Sequence, residues 1–468
     1  MSEQESGTRV LRVFGLASLG MYAVLAVFFW TAWSFKKNAI DEIVIVVITG
    51  ALAVLYFLGL KFARHASTSA IVVFAIAVGI IGFITPPFDS TDVFFYMATG
   101  WQQAHYGGNP YSGLLRNVDG ALGDPMIQNK WMARNRNPWL DIPIPYGFLF
   151  ALLARMIGWL GRGNFWLTLG LFSFLNLLMH AGIALFLWKA SKLLPESNGK
   201  AILYLYSWNP FVVLQYLADV HNDIIVAFLV VVAAYLLLKD RPVWSLPLLV
   251  AAGLIKYITF VLVPFALIFL VRRKSWIEGV RALLLSASLV IVTAAPYATE
   301  LSSFKYRLIW TQVSESSGSF HTFVMYSLRV LGRVWPALIE HVASIGAVGG
   351  ACLWIVFACF VARELYVSCK ERLDGAHMIQ RWSSILFALI FVASSQFYAW
   401  YLGMMFPLAL LTYRKTILAD CVVALSGAHM LSFTFLRRKA IGYFVVATLL
   451  PILYLLARKK HLRVRQIA

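Results

Sequence analysis

Residues 67–92 read STSAIVVFAIAVGIIGFITPPFDSTD: an apolar run ends at two prolines and gives way to acidic and hydroxyl side chains. The run spans about 20 residues, which as a helix matches the roughly 30 Å hydrocarbon core of a bilayer. A backbone in lipid must satisfy its own hydrogen bonds, so the run is predicted to be helical. Comparable runs recur along all 468 residues, of which 60% are hydrophobic and 13% charged. The sequence therefore predicts an all-α polytopic membrane protein.

The apolar runs predict about fourteen spans, several of them shorter than the roughly 20 residues of an upright span. We therefore expect a bundle of about 11–14 transmembrane helices. The predicted spans are approximately 10–34, 43–62, 67–86, 164–188, 201–217, 223–238, 243–255, 257–271, 281–297, 338–362, 382–397, 400–414, 417–435 and 441–457. Two of them, 243–255 and 257–271, are also compatible with shallow helices that meet below the outer surface. The alternating strands of a membrane barrel are not visible.

The net charge of +19 is spread over short basic clusters between the apolar runs. This distribution argues against a nucleic-acid partner and fits the positive-inside rule and attraction to anionic membrane lipids. The clusters predict cytoplasmic loops at 61–65, 189–200, 239–241, 272–274 and 363–372, together with a cytoplasmic tail at 458–465. A single orientation, with both termini inside, satisfies all of them.

Four cysteines lie in or beside apolar runs, at 352, 359, 369 and 421, without the spacing of a metal site. We expect buried structural thiols and no disulfide framework. The first apolar run is long enough to span and lacks a small-residue cleavage site, so it is predicted to be a membrane helix rather than a cleaved signal.

Two long segments, 87–163 and 298–337, are predicted to lie outside. The first begins with a helical pattern from Val93 to Tyr106, whose apolar face fits a helix lying on the membrane. A second such helix is predicted at 146–161. Long structured loops usually carry function, so the sequence argues against a simple pore.

The acidic pair Asp89 and Asp92 follows the third span at an i, i+3 spacing, which places both on one face of a helix start. A carboxylate at a membrane boundary can act as general base for a sugar hydroxyl. The alternative is helix capping, because Asp, Ser and Thr are good N-cap residues.

A proline in Trp208-Asn209-Pro210 is predicted to break a membrane helix, and His221-Asn222-Asp223 then reaches the outer surface. The alternative is a kinked helix followed by a capped turn.

Cations near membrane depth form the next candidates. Lys256 lies between two apolar runs, where a charge is costly and therefore a functional candidate; snorkelling of its stem is the alternative. Arg437-Arg438-Lys439 falls outside in the predicted topology, so either the last spans are miscounted or these cations bind phosphate.

Aromatic groups at Tyr398-Ala399-Trp400-Tyr401, Trp131 and Trp139 fit an interfacial belt, although sugar rings also stack on such faces. The sequence has no P-loop, no Rossmann glycine pattern and no His-Glu-x-x-His. Nothing therefore indicates a nucleotide-sugar domain, and a donor activated by a lipid phosphate would not need one.

Together these motifs resemble those of GT-C fold glycosyltransferases that use polyprenyl-phosphate sugars, above all the bacterial polyprenol-phosphate-mannose-dependent α-mannosyltransferases. The resemblance covers roughly 80 to 450, and its strength lies in the order and shared outer location of short motifs. Phe148 and Ala399 stand where the family usually has proline. The motifs, in chain order, are Ser90-Thr91-Asp92-Val93-Phe94-Phe95-Tyr96 with Gly100 and Asn109-Pro110-Tyr111, then Pro145-Tyr146-Gly147-Phe148, Tyr206-Ser207-Trp208-Asn209-Pro210, His221-Asn222-Asp223, Lys256-Tyr257 and Ala399-Trp400-Tyr401.

The resemblance implies an inverting transfer of one sugar, most simply mannose, from a polyprenyl-phosphate donor to a glycan or glycolipid acceptor, without metal or cofactor. Asp92 would be the general base and Asp89 the reserve candidate. Cations would bind the donor phosphate: Lys256, Arg438, Arg437 and Lys305. Further side chains would bind substrate: Tyr96, His221, Asp223, Tyr146, Trp400, Tyr401 and His321. The enzyme would lie in the bacterial inner membrane, with its site facing the exterior.

The resemblance also implies three parts: two additional helices at 1–66, a catalytic module at 67–297, and a second outer loop with C-terminal helices at 298–468. Other functions remain open, namely a lipid-linked sugar flippase or transporter, a lipid-modifying phosphotransferase, and an envelope polysaccharide polymerase. The long first loop and the lack of an internal repeat argue against a transporter.

Overall fold

The computed structural model describes residues 2–31, 39–113, 115–129, 131, 142–195, 197–300, 319–371, 374–394, 397–430, 449 and 452–453. Throughout these ranges the regular structure is helical, with no strand. The predicted spans 417–435 and 441–457 fall partly or mostly outside the described residues.

The first nine helices contain most of the predicted catalytic module. They are α1 Glu3–Thr31, α2 Ala39–Ala63, α3 Thr68–Ile84, α4 Asp92–His105, α5 Phe148–Gly161, α6 Phe165–Ser191, α7 Gly199–Ser207, α8 Pro210–Ala218 and α9 Asp223–Leu238. Helix α8 ends in a wide π turn at Val213–Ala218. As predicted, the membrane helix breaks at Pro210, which lacks the N–H that would continue α7.

The remaining helices complete the described part of the bundle. They are α10 Pro242–Gly253, α11 Val263–Arg273, α12 Trp276–Ala294, α13 Phe320–Val334, α14 Ala337–Lys370, α15 Gly375–Ala388, α16 Leu402–Leu410 and α17 Ile417–Ala428. A 3₁₀ turn at Tyr257–Leu262 joins α10 to α11, and another at Ala399–Tyr401 leads into α16.

Six described helices are long and apolar enough to cross a membrane alone, and the pair α8 and α9, bent by 118°, can serve as one further broken span. Five shorter apolar helices accompany them. By length and composition the described residues thus contain six candidate spans, or seven with the bent pair. The prediction of an all-helical polytopic membrane protein is confirmed.

Helix α4 forms where the sequence predicts it, but it does not lie on the membrane with one apolar face. Residues 93–103 are all buried, because α4 crosses α5 at very short distance. A Cβ atom on Gly100 would stand 2.2 Å from the carbonyl oxygen of Ala154, so only glycine permits this crossing. The first outer helix is therefore fixed within the protein.

The cysteines also differ from expectation. Cys352, Cys359 and Cys369 are exposed and only Cys421 is buried. The first three lie on α14, which is strongly apolar yet mostly unburied within the protein. Such a surface is what lipid contact requires, so the expectation of buried thiols was wrong for these three residues.

Candidate active site

Five segments that lie far apart in the sequence meet in one cluster of side chains. Each of them falls on the predicted outer side of the membrane. We call this group the site cluster; its members are Asp92, Tyr96, Tyr146, His221, Asp223, Lys256, Trp400 and Tyr401.

The turn between α8 and α9 organises the cluster. Its central residue, Val220, has a φ of +57°, a left-handed conformation that costs a branched residue about 1–2 kcal/mol. Asn176 of α6 stabilises the turn by donating from Nδ2 to the carbonyl oxygens of Tyr216 and His221, at 2.8 and 3.0 Å. Because the surrounding protein holds this strained turn in place, the side chains that leave it are fixed.

Asp92 is the first residue of α4 and lies beside the turn. One of its carboxylate oxygens lies 3.4 Å from Nδ1 of His221. At that distance the contact is an electrostatic pairing rather than a well-aligned hydrogen bond. The Asp92 side chain is 14% exposed whereas that of His221 is fully buried. Asp92 is therefore the partner that a substrate can reach.

The surroundings of Asp92 act on its pKa in opposite directions. Burial alone raises the pKa of the carboxyl group, but pairing with His221 lowers it, and Lys256 and Ser90 lower it further. The net result is a pKa below the usual carboxyl value. Asp92 is consequently ionised at neutral pH, which is the state that a proton acceptor needs.

The capping alternative for Asp92 is not realised. Thr91 occupies the N-cap position of α4 but makes no side-chain capping hydrogen bond, and the N–H of Asp92 donates to Oγ of Ser90 at 3.2 Å. The Asp92 carboxylate faces His221 instead. Asn209 caps α8, accepting from the N–H of Phe211 at 2.9 Å. Asn222, the cap residue that the alternative for the His221-Asn222-Asp223 turn named, is the N-cap of α9 but makes no side-chain capping hydrogen bond.

Lys256 pairs with the other end of the same turn. Its Nζ donates to Oδ1 of Asp223 at 2.8 Å, and the two side chains are 15% and 1% exposed. The ammonium group also lies 4.2 Å from the ring centre of Tyr401 and 5.9 Å from that of Tyr146. Ion pairing and cation–π contacts together hold a charge that would be costly alone near the membrane.

The N-terminus of α5 places the Lys256 segment. The N–H groups of Gly147 and Leu149 donate to the carbonyls of Ile255 and Leu254, both at 3.1 Å. A Cβ on Gly147 would lie 2.2 Å from the Leu254 oxygen, so the glycine of this motif allows the two segments to touch. The helix starts directly afterwards, at Phe148, close to the predicted start at 146.

Aromatic rings cover one side of the cluster. Trp400 stacks on the His221 imidazole with ring centres 4.2 Å apart, and Tyr216 donates from its hydroxyl to the Trp400 carbonyl. On the other side the hydroxyls of Tyr96 and Tyr146 lie 3.5 Å apart. Tyr96 is almost fully buried, so it contributes packing to the cluster rather than accessible surface.

The other predicted site residues are placed differently. Asp89 is half-buried, and its backbone N–H donates to Asp219 at 2.9 Å. His321 lies on α13, where its Nε2 is 2.9 Å from the carbonyl oxygen of Gly346. Three predicted phosphate-binding residues lie outside the described residues: Lys305, Arg437 and Arg438. Within the described ranges, His, Cys, Asp and Glu side chains form no group that could hold a metal ion.

Two buried residues, Asp219 and Asn176, were not among the sequence candidates. Both act through backbone groups of distant segments, and such contacts leave no local pattern. One sequence feature could have identified Asp219. It follows an apolar run directly, and an acidic residue in that position is a candidate functional residue.

A polytopic helical bundle in which the turn of a broken helix pairs with a carboxylate from α4 and with a lysine between α10 and α11 fits the GT-C class of membrane glycosyltransferases. The family described as alpha-(1->6)-mannopyranosyltransferase, N-terminal domain, matches residues 8–272. This is more than half of the 468 residues, and the chain belongs to this GT-C-type mannosyltransferase family. Neither a curated protein nor a solved structure matches the chain.

The family assignment confirms the predicted class. The protein is an integral membrane glycosyltransferase of a mannosyltransferase family. The matched region contains Asp92, His221, Asp223 and Lys256, whereas Trp400 lies beyond it.

Proposed function

We propose that the enzyme transfers one mannosyl residue from a polyprenyl-phosphate donor to a glycan or glycolipid acceptor, with inversion and with Asp92 as general base. The observation that carries this proposal is the layering of the site cluster. Asp92 and Lys256 are the partly exposed members of their pairs, at 14% and 15%, and His221 and Asp223 are buried behind them. The turn between α8 and α9 thus supplies the buried partners, His221 and Asp223, of a base on α4 and of a cation between α10 and α11.

The chemistry requires these two groups. The acceptor hydroxyl oxygen attacks the anomeric carbon of the donor sugar from the face opposite the phosphate. As that bond forms, the bond between the anomeric carbon and the phosphate oxygen breaks, and its electron pair leaves with the polyprenyl phosphate. The hydroxyl proton passes to Asp92. Because the configuration inverts, an α-mannosyl product requires a β-linked donor.

Lys256 is assigned to the leaving group. Negative charge grows on the phosphate as the glycosidic bond breaks, and a fixed cation stabilises that state more than the ground state. Asp223 holds the ammonium in place, 2.8 Å from its Oδ1. Tyr146, Trp400 and Tyr401 are assigned to the sugar and acceptor, with Tyr146 and Trp400 at 9% and 6% exposure. The more deeply buried His221, Asp223 and Tyr96 are assigned to positioning rather than to direct contact.

We assign the enzyme to the bacterial plasma membrane with its site facing the exterior. The basic loops support this orientation, since they place all segments of the site cluster on the side opposite the cytoplasm. A donor with a lipid tail is also suited to this location, because its tail can stay in the bilayer while its phosphate is bound by Lys256, as the proposal assigns.

The test is a transfer assay with purified protein in lipid nanodiscs, β-linked polyprenyl-phosphate mannose and an α-1,6-mannan oligosaccharide. We expect the acceptor to grow by one hexose, with no product from a nucleotide sugar or from the α-linked lipid donor. Asp92→Asn should lower kcat by at least about 100-fold while donor binding is kept, since a general base contributes about 10²–10⁴.

Asp89→Asn is the matched control, because it removes a carboxylate three residues away. Wild-type-like turnover in Asp92→Asn would contradict the base assignment, and loss of transfer in Asp89→Asn alone would move that role to Asp89. Movement of the lipid-linked sugar across the bilayer without a new glycosidic bond would instead favour a flippase.

A further inference from the structure

Asp219 lies at the end of α8, fully buried, and binds a segment more than a hundred residues away. Its Oδ1 accepts three backbone N–H groups in succession, from Phe88 at 2.8 Å, Asp89 at 2.9 Å and Ser90 at 3.4 Å. Bonds from N–H groups to a carboxylate are roughly twice as strong as those between neutral groups. One buried oxygen therefore gathers the three amides that precede α4.

The anchored segment needs such an acceptor. It follows Pro86 and Pro87, which have no N–H to donate, and it has no regular structure until α4 begins at Asp92. Without Asp219, three amides would lose a buried partner at once.

The same turn holds both ends of the segment. Asp219 binds its backbone at 88–90, and His221, two residues further on, pairs with the Asp92 carboxylate at 3.4 Å. Val220 between them has the left-handed φ of +57°. The position of the Asp92 carboxylate is thus set relative to the turn that also carries Asp223, the partner of Lys256.

We propose that Asp219 is a positioning residue, which holds the 88–92 segment so that the Asp92 carboxylate and the Lys256 ammonium face one substrate in fixed register. This proposal rests on the proposed function for its kinetic consequence. Its structural consequence is independent of that function, because the anchor acts on backbone amides.

The experiment compares Asp219→Ala and Asp219→Asn with the parent in lipid nanodiscs. In Asp219→Ala we expect kcat to fall about 100-fold, as small displacements of reacting groups do, with the donor KM changed by less than about twofold. Hydrogen–deuterium exchange at the 88–90 amides should become faster. Asp219→Asn keeps an acceptor oxygen and should retain more activity than Asp219→Ala.

Asp240→Asn is the matched control, since Asp240 is an exposed carboxylate paired with Arg273 and Lys274 away from the site cluster. It should leave both kcat and exchange at 88–90 unchanged. If Asp219→Ala does not fold, Asp219→Asn becomes the test variant. Its kcat is expected to fall about tenfold, and hydrogen–deuterium exchange at the 88–90 amides is expected to become faster.

Parent-like kcat or parent-like exchange in the folded variant overturns the proposal. So does failure of the nearly isosteric Asp219→Asn to fold, because the residue then acts on stability alone. If Asp92→Asn keeps full turnover while the exchange effect is present, the assignment of Asp92 as base fails and the anchor stands. If the parent transfers no mannosyl residue while the exchange effect is present, the proposed function fails and the anchor stands.

Discussion

Lys256 carries a charge that is already paired before a substrate arrives. The pair with Asp223 is almost entirely buried on the carboxylate side, at 1% exposure. Removal of one partner from a buried pair leaves the other charge uncompensated, which typically costs about 3–5 kcal/mol, whereas removal of both is far milder. This asymmetry separates the structural contribution of Lys256 from its proposed role at the phosphate.

We therefore expect Lys256→Met to lose both stability, by about 3 kcal/mol, and transfer. In the double variant Lys256→Met, Asp223→Asn most of the lost stability should return. The rate of transfer should still be at least about 100-fold below that of the parent, because no cation then faces the leaving phosphate. Denaturation of the purified protein and the transfer assay measure the two effects separately. Lys192→Met is the control, since Lys192 also lies over an aromatic ring, 4.8 Å from the ring centre of Trp188. Recovery of transfer in the double variant would remove Lys256 from the phosphate role.

Among the elements, α5 connects two parts of the site, although none of the charged members of the site cluster lies on it. Its N-terminal amides bind the carbonyls of 254–255, and its middle turns press against α4. Helix α5 therefore connects the segment that carries Lys256 with the helix that begins at Asp92. A substitution at the start of α5 should therefore affect catalysis only by changing the positions of the Lys256 segment and of α4.

Gly147→Ala tests this connection. The new Cβ would stand 2.2 Å from the Leu254 oxygen, so the Lys256 segment must move. We expect a loss of about 1–3 kcal/mol in stability, as for other overpacked positions, and a drop of at least about tenfold in kcat. Gly123→Ala is the matched control in the same outer loop, because nothing lies within 4 Å of a Cβ at that position. Equal activity of the two variants would contradict the role assigned to α5.

The sequence predicted the elements better than their packing. Length and apolarity suffice to place α1, α4 and the break at Pro210, because these depend on local chemistry. They do not suffice for the burial of α4, which depends on close approach to α5 at Gly100. The same distinction explains the site: Asp92 and Lys256 were found as charges in unusual places, whereas Asp219 acts on amides 88–90, which no local pattern connects to it.

At the scale of the whole molecule, the site cluster is informative because its members come from segments separated by several helices. The basic loops predict that 89–96, 146, 219–223, 256 and 400–401 all lie on one side, and these segments do meet. A single orientation thus agrees with the charge pattern and with the packing. The sidedness itself is a prediction that labelling can test.

Cysteines introduced into a variant that lacks the four native ones should report this sidedness. Leu122→Cys lies in the 87–163 loop at a position that is 43% exposed, and Asp240→Cys lies in the turn between α9 and α10. We expect a membrane-impermeant maleimide to label the first in intact cells and the second only after permeabilisation. The reason is that Lys239 and Arg241 flank Asp240, and short loops rich in Lys and Arg stay in the cytoplasm. The reverse labelling pattern would place the site cluster inside the cell, where a donor presented at the outer leaflet could not reach Asp92.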